Sequence, residues 1–270
     1  MSRVSPLMIR ILTGSLFLGL VMGLVYIGPI GVYIVAAVLT GLALWEFRGL
    51  SDKMGFRAPS WLIYPLGAFF ALSGTWLKLI DVKLVMSLVL VAGLGAFLFI
   101  PGRREGLGRW AMGMAGAIYV GMPINYYLLL YGSRNGLAWM LFVILGAVVS
   151  DVAALLVGMR LGRTPFFNEI SPKKTLEGAV AGVLGAVAVF VFGNAVTLHV
   201  PLVHALAIGL LIGVGAEMGD LVESQMKRIA GVKDSSNLIP GHGGMLDRLD
   251  SIFFPPILVW AYALLFGLLK

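Results

Sequence analysis

Cysteine is absent from this sequence, histidine occurs three times, and charged residues make up only 12% of the chain. Without cysteine there is no disulfide framework, no thiol nucleophile and none of the soft ligands that favour zinc. The shortage of charge excludes more. Soluble domains carry about 25% charged and about 45–50% apolar residues, whereas this chain is 59% hydrophobic with a mean hydropathy of +0.97. So few polar groups could not cover a water-soluble fold of 270 residues, so the chain reads as an integral membrane protein. Its net charge of +7 then points to membrane topology rather than to nucleic acid.

Long apolar runs are what the chain has instead. The first, "ILTGSLFLGLVMGLVYIG", is too long for a signal-peptide core and lacks a small-residue cleavage site before the next run, which predicts a retained helix. A span needs about 20 apolar residues. That ruler predicts an all-α, polytopic protein with about nine transmembrane helices, near 7–27, 29–47, 61–80, 84–101, 111–131, 137–159, 178–200, 202–223 and 251–269. Lys and Arg then divide 16 to 4 between alternate loops, which predicts a cytoplasmic N-terminus and cytoplasmic loops at 160–177 and 224–250. No long repeat or linker divides the chain.

The acidic residues are placed unevenly. Asp151, Glu177, Glu217, Asp220, Glu223, Asp234, Asp247 and Asp250 all lie in or beside the last four spans. Residues 1–140 therefore read as a transmembrane scaffold of five spans, and residues 141–270 as the catalytic region. In "GAEMGDLVESQMKR", Glu217, Asp220 and Glu223 are spaced i, i+3, i+6 along one drifting helix face, where apolar surroundings make each carboxylate costly unless it meets a cation or a cavity. Gly213, Gly215 and Gly219 on the same helix allow close backbone approach. Asp151 lies inside the sixth span with no basic neighbour on its own helix, so it is either protonated, paired across the bundle or a cation ligand. In "SPKKTLEG", Ser171-Pro172 reads as a helix start with Lys173 and Lys174 in its first turn, suited to an anion or to lipid head groups.

Charge and flexibility are densest in "SQMKRIAGVKDSSNLIPGHGGMLDRLD". Asp247 and Asp250, at i, i+3, can face one spot, while Gly241, Gly243 and Gly244 let backbone N–H groups approach a ligand. Lys227, Arg228, Lys233, His242 and Arg248 surround them with cations. Hard oxygen donors beside cations and a glycine turn fit Mg²⁺ bridging a polyphosphate. The residues by themselves lead that far: a metal and polyphosphate site at a cytoplasmic membrane surface.

The run Ser224-x-Met226-Lys227-Arg228-x4-Lys233-Asp234-x-Ser236-x2-Ile239-Pro240-x-His242-Gly243-Gly244-Met245-x-Asp247-Arg248-Leu249-Asp250 resembles the signature of the phosphatidate cytidylyltransferases, the CDP-diacylglycerol synthases. "GDLVES", "SPKKTLEG" and the buried Asp of the sixth span are similar to that family's C-terminal half. Over residues 1–140 only the multi-span character matches, and the neighbourhood of Asp151, "SDVAALLVG", lacks an aromatic that relatives carry there.

The resemblance implies a reaction in which CTP and phosphatidic acid give CDP-diacylglycerol and pyrophosphate in phospholipid biosynthesis. It also implies Mg²⁺, K⁺ at a second metal position, a homodimer and an inner-membrane location with the site facing the cytoplasm. On that reading Asp220, Asp247, Asp250 and Asp151 hold metal, with Asp220, Asp247, Lys233 and Arg248 catalytic. Lys173, Lys174, Lys227, Arg228, His242, Gly243, Gly244 and Ser224 bind substrate. A secondary transporter using the intramembrane carboxylates is the alternative, set against the lack of an inverted repeat and the gathering of charge near one surface. The Asp-x2-Asp-Gly-x2-Ala-Arg run of CDP-alcohol phosphatidyltransferases does not occur.

Overall fold

The structure, a computed structural model, describes residues 19–75, 80–96, 103–239 and 243–269, without the side chains of residues 103 and 104. Among these the chain is helical, with isolated antiparallel bridges at Pro165–Thr175 and Ile239–Gly243 and no strand. Six stretches are long and apolar enough to cross a membrane: Pro29–Lys53, Glu105–Tyr131, Gly136–Leu161, Leu176–Leu198, Leu202–Ile229 and Leu246–Leu265. Ser60–Leu72 and Val82–Ala96 are shorter apolar helices. The protein is thus a multi-pass, all-helical membrane protein. The expected span at 7–27 lies mostly outside the described residues; the part described, 19–26, is helical.

The chain forms two compact units, Met1–Ile124 with Ile229–Asp247, and Asn125–Arg228 with Arg248–Lys270. The loop after Ile229 thus belongs with the N-terminal helices.

In the first unit, α1 (Pro29–Lys53) begins with Pro after Gly28, whose φ of 95° suits glycine and turns the chain sharply from the preceding helix. Its far end is closed by Ser51, whose hydroxyl accepts from Ala58 N at 3.0 Å and donates to Arg48 O at 2.8 Å. α2 (Ser60–Leu72) packs on α1. Leu62, Leu66 and Phe70 of α2 and Ala117 of α4 (Arg103–Tyr131) form a core, edged by Val82, Val85, Met86 and Val89 of α3 (Val82–Ala96).

In the second unit, α5 (Gly136–Leu161), α6 (Leu176–Gly193) and α7 (Leu202–Ile229) pack through glycine. A Cβ at Gly178 would stand 2.7 Å from Ala154 O, and one at Gly182 would stand 2.9 Å from Ser150 O, which brings α6 onto α5. A Cβ at Gly209 or Gly213 would lie 2.6 Å from the Cα of Val187 or Val183, which does the same for α7 against α6. In hydrocarbon, where burial of apolar side chains drives little association, such backbone proximity supplies the attraction between helices. α7 uses its remaining glycines on the corner between α8 (Leu246–Phe253) and α9 (Pro255–Leu265). Gly215 faces Pro255, and Gly219 faces the backbone carbonyl of Asp250 with no room for a side chain.

The loop between α5 and α6 differs from expectation. Ser171-Pro172 does not start the helix. Thr175 is its N-cap, accepting from Gly178 N at 3.2 Å, so Lys173 and Lys174 precede the helix rather than forming its first turn. The reason is chemical: a Thr hydroxyl satisfies a free helix N–H, whereas two lysines in the first turn would oppose the helix dipole. Glu177 sits in that turn instead, and its carboxylate accepts from Arg163 N, Thr164 N and the Thr164 hydroxyl, closing the loop on itself.

Gly213→Leu forces α6 and α7 apart and costs about 1–3 kcal/mol. The melting temperature in detergent should fall by several degrees, while Leu210→Ala, at a half-exposed position on the same helix, should leave it unchanged. Equal melting of the two variants and wild type would discount the glycine contact.

Candidate functional site

Lys174 is the centre of the second unit's charge. Its Nζ stands 2.6 Å from Glu217 Oε2 and 2.8 Å from Asp220 Oδ2. The i, i+3 spacing on α7 puts both carboxylates on one side, and the Thr175 cap holds the lysine immediately before α6 begins. Burial works against the charged form of Lys174, but Asp220 and then Glu217 outweigh it and hold its pKa above the ordinary lysine value. A lysine whose pKa is raised by folding contributes stability that is complete below the ordinary value and fades only as pH rises past the raised one. The pair therefore persists unchanged through neutral pH.

Asp151 comes from α5, hydrogen-bonded to the Ser251 side chain, and lies in electrostatic range of Asp220, Glu217 and Lys174. It is not isolated, as its own helix suggested; it is paired across the bundle. Asp250 of α8 lies in range of Asp220 and Asp151, and its Oδ1 accepts from Ser251 N at 2.8 Å. The Gly219 contact is what brings α8 this near to α7. Asp151, Asp220, Glu217, Lys173, Lys174 and Ser171 line a cavity of about 480 Å³. Ser224 donates to Asp220 Oδ1 at 3.2 Å.

The third member of the α7 series has a different role. Glu223 is fully buried and pairs with Lys227 one turn on, so Lys227 is committed within its own helix. Arg228 donates through Nε to Ile170 O at 3.2 Å, an anchor for the α5–α6 loop.

A second polar cluster belongs to the first unit. Asp247 Oδ2 accepts from Ser235 N, the Ser235 hydroxyl and Gly244 N, each at 2.8 Å. Glu46 of α1, which the sequence reading passed over, is 2% exposed and accepts from four groups of the same loop. Ser236 Oγ donates to Oε1 at 2.6 Å and Met245 N at 2.8 Å; Ser235 Oγ donates to Oε2 at 3.0 Å and Leu246 N at 2.6 Å. Gly244 is required by space, since a Cβ there would collide with the Ser235 hydroxyl and crowd the Glu46 carboxylate. Gly243 has φ 80°, a conformation glycine adopts freely. Lys233 and Asp234 are exposed on this loop, and Arg248 is exposed on α8. His242 lies outside the described residues. A signal for Glu46 existed: it is the single acidic residue in the span 29–47, where a lone carboxylate needs partners.

The chain matches the cytidylyltransferase family over residues 8–266. It belongs to that family. A phosphatidate cytidylyltransferase of Staphylococcus epidermidis is 30% identical over 254 residues, covering 91% of this chain and 95% of that protein. One of Bacillus subtilis is 40% identical over 151 residues, covering 55% of this chain and 56% of the relative. A chloroplastic phosphatidate cytidylyltransferase of Arabidopsis thaliana is 45% identical over 133 residues, covering 49% of this chain. The match covers 33% of that Arabidopsis protein and about half of the Bacillus one.

The family implies a metal, and the donor set can be weighed for it. Asp151, Asp220 and Asp250 offer hard oxygen atoms, which suit Mg²⁺. Among the described residues no three Asp, Glu or His groups stand close enough together to enclose an ion. Lys174 is the cation that Glu217 and Asp220 share in this conformation. The chemistry of the donors fits the metal.

Lys174→Met leaves Glu217 and Asp220 facing each other without their cation, and removing one partner of a partly buried pair is costly. The melting temperature should fall by several degrees, and Lys174→Met/Glu217→Gln should regain part of the loss. Additive losses in that double-mutant cycle would show that the ion pair carries no coupling.

Proposed function

We propose that this protein transfers the cytidylyl group of CTP to phosphatidic acid, releasing pyrophosphate and forming CDP-diacylglycerol. The observation that supports it most is a cavity lined by Asp151, Asp220, Lys173 and Lys174, with Asp250 in electrostatic range of both aspartates. Membership of a family whose Staphylococcus relative matches over nearly its full length supports the same reading. The charge asymmetry of the loops supports an inner-membrane protein with its N-terminus and this site on the cytoplasmic side. Nine spans and a homodimer belong to the same proposal.

The reaction is an in-line displacement at the α-phosphorus of CTP. A phosphate oxygen of the lipid forms the new bond to phosphorus, the bond to the β-phosphate bridging oxygen breaks, and pyrophosphate carries the electron pair away. The attacking phosphate already bears negative oxygens near neutral pH, so no side-chain nucleophile is required. Positioning and charge neutralisation therefore supply most of the acceleration. Lys173 and Lys174, at the cavity, and the exposed Arg248 would neutralise phosphate oxygens; Lys233, exposed on the loop of the first unit, has the charge for the same role. Asp220 and Asp250, with Asp151 beside them, would hold Mg²⁺, and K⁺ would take a second position. A metal held by these carboxylates would supply Lewis-acid neutralisation of phosphate charge. Asp247, expected among the ligands, would also tie the glycine turn to Ser235, through Gly244 N and the Ser235 amide and hydroxyl.

The transporter reading lacks a specific supporting observation: the sequence shows no inverted repeat, and its charges gather near one surface.

Purified protein given CTP, phosphatidic acid and Mg²⁺ together should release pyrophosphate, and omission of any one, or EDTA, should stop it. Asp220→Asn and Asp250→Asn should each lower turnover by about a hundredfold or more. Release in the presence of EDTA would rule out the metal, and activity of both variants within about threefold of wild type would remove them from its site.

A further inference from the structure

The N-terminal helices carry the spans that the reaction does not obviously use, yet Glu46 of α1 is the most heavily hydrogen-bonded side chain around the loop that follows α7. Its two oxygens take two serine hydroxyls and two backbone N–H groups, from Ser235, Ser236, Met245 and Leu246. Those residues stand at the two ends of one loop: Ser235 and Ser236 just after Lys233 and Asp234, Met245 and Leu246 at the entry to α8. A single carboxylate thus ties the loop's departing and returning strands of chain together. Asp247 clamps the same loop from the other side, and Ser235 Oγ lies within reach of both carboxylates with one hydrogen to give.

The packing of α1 does not require this arrangement. Ala43, Leu44, Phe47 and Leu50, all buried, form its apolar contact face. Leu44 lies against Gly67 of α2, and Phe47 lies against Gly116 and Tyr119 of α4. A buried carboxylate in that company is costly unless its acceptors are filled, and Ser235, Ser236, Met245 and Leu246, which fill those of Glu46, all belong to the loop.

We infer that Glu46 is a positioning residue for the transfer reaction: it fixes the spacing between the loop's two ends, and so the place of Lys233 and the Gly243–Gly244 turn relative to each other. The inference rests on the cytidylyltransferase reading. It concerns the nucleotide side of the reaction, since the loop's cations are those suited to polyphosphate. Gln at this position keeps the volume and one acceptor oxygen but turns an NH₂ toward a backbone N–H, so two donors meet. Asp keeps both acceptors one methylene short.

The test compares Glu46→Gln and Glu46→Asp with wild type in steady-state pyrophosphate release, melting in detergent, and amide hydrogen exchange over residues 235–246. Glu46→Gln should melt within a few degrees of wild type and exchange faster over that segment. Its kcat/KM for CTP should fall about tenfold or more, while KM for phosphatidic acid stays within about twofold, because misplacing a binding group by a fraction of an ångström affects the step it serves. Glu46→Asp should recover part of the loss. Folded Glu46→Gln with unchanged constants and exchange would overturn the inference. So would activity lost only in proportion to folded protein, the pattern of a purely structural residue. Should Glu46→Gln fail to fold, Ser236→Ala removes a single donor and must still raise KM for CTP selectively; unchanged constants there overturn the inference. Wild-type protein without CTP turnover would instead remove the transferase reading, and the exchange measurement would still decide whether Glu46 holds the loop.

Discussion

One ammonium shared by two carboxylates governs the second unit. Glu217 and Asp220 sit on a helix that is otherwise apolar enough to span a membrane, where an unpaired carboxylate is strongly disfavoured. Lys174 meets both. That demand fixes where the α5–α6 loop must end, which face α7 turns inward, and how near α6 must approach. The glycines follow from it: α7 presents Gly213 to α6 and Gly215 and Gly219 to the α8–α9 corner, so that charges from three helices and the α5–α6 loop gather without side chains to keep them apart.

The first unit solves the same problem with neutral donors. Glu46 has no cation among its hydrogen-bond partners; hydroxyls and backbone N–H groups fill its oxygens. The difference has a physical meaning. An ion pair can exchange its cation for another cation, whereas a carboxylate saturated by four hydrogen bonds has little to exchange. Lys174 marks a place where charge can be rearranged, and Glu46 a place where geometry is held.

Much of this was legible in the sequence, for identifiable reasons. Hydropathy located the described helices because hydrocarbon tolerates few alternatives to a helix, though several ends fell five or more residues away. The i, i+3 spacing placed Glu217 and Asp220 on one side, and the glycines of α7 marked the close contacts. The helix start before α6 was misplaced because Ser-Pro is also a start signal, and only the filled Thr175 cap decides between them. Glu223 looked like a third site carboxylate because periodicity cannot say whether a residue one turn away will claim it, as Lys227 does. Glu46 was missed because its partners lie 189 to 200 residues further along the chain, a separation no local pattern reports.

The Thr175 cap has a consequence for how this chain tolerates change in length. Lys174 reaches its carboxylates from the residue just before the cap, so its register relative to α6 is fixed by the Thr175 hydroxyl together with its own backbone hydrogen bonds to Ser171 and Phe166. Residues upstream of Lys173 are tethered at Arg163, Thr164, Phe166 and Ile170. Insertions between those tethers lengthen a surface loop at small entropic cost. One residue inserted between Lys174 and Thr175 would push the ammonium away from α7 by a full step of the chain. Two adjacent peptide bonds therefore separate a stretch open to drift in length from one that admits none.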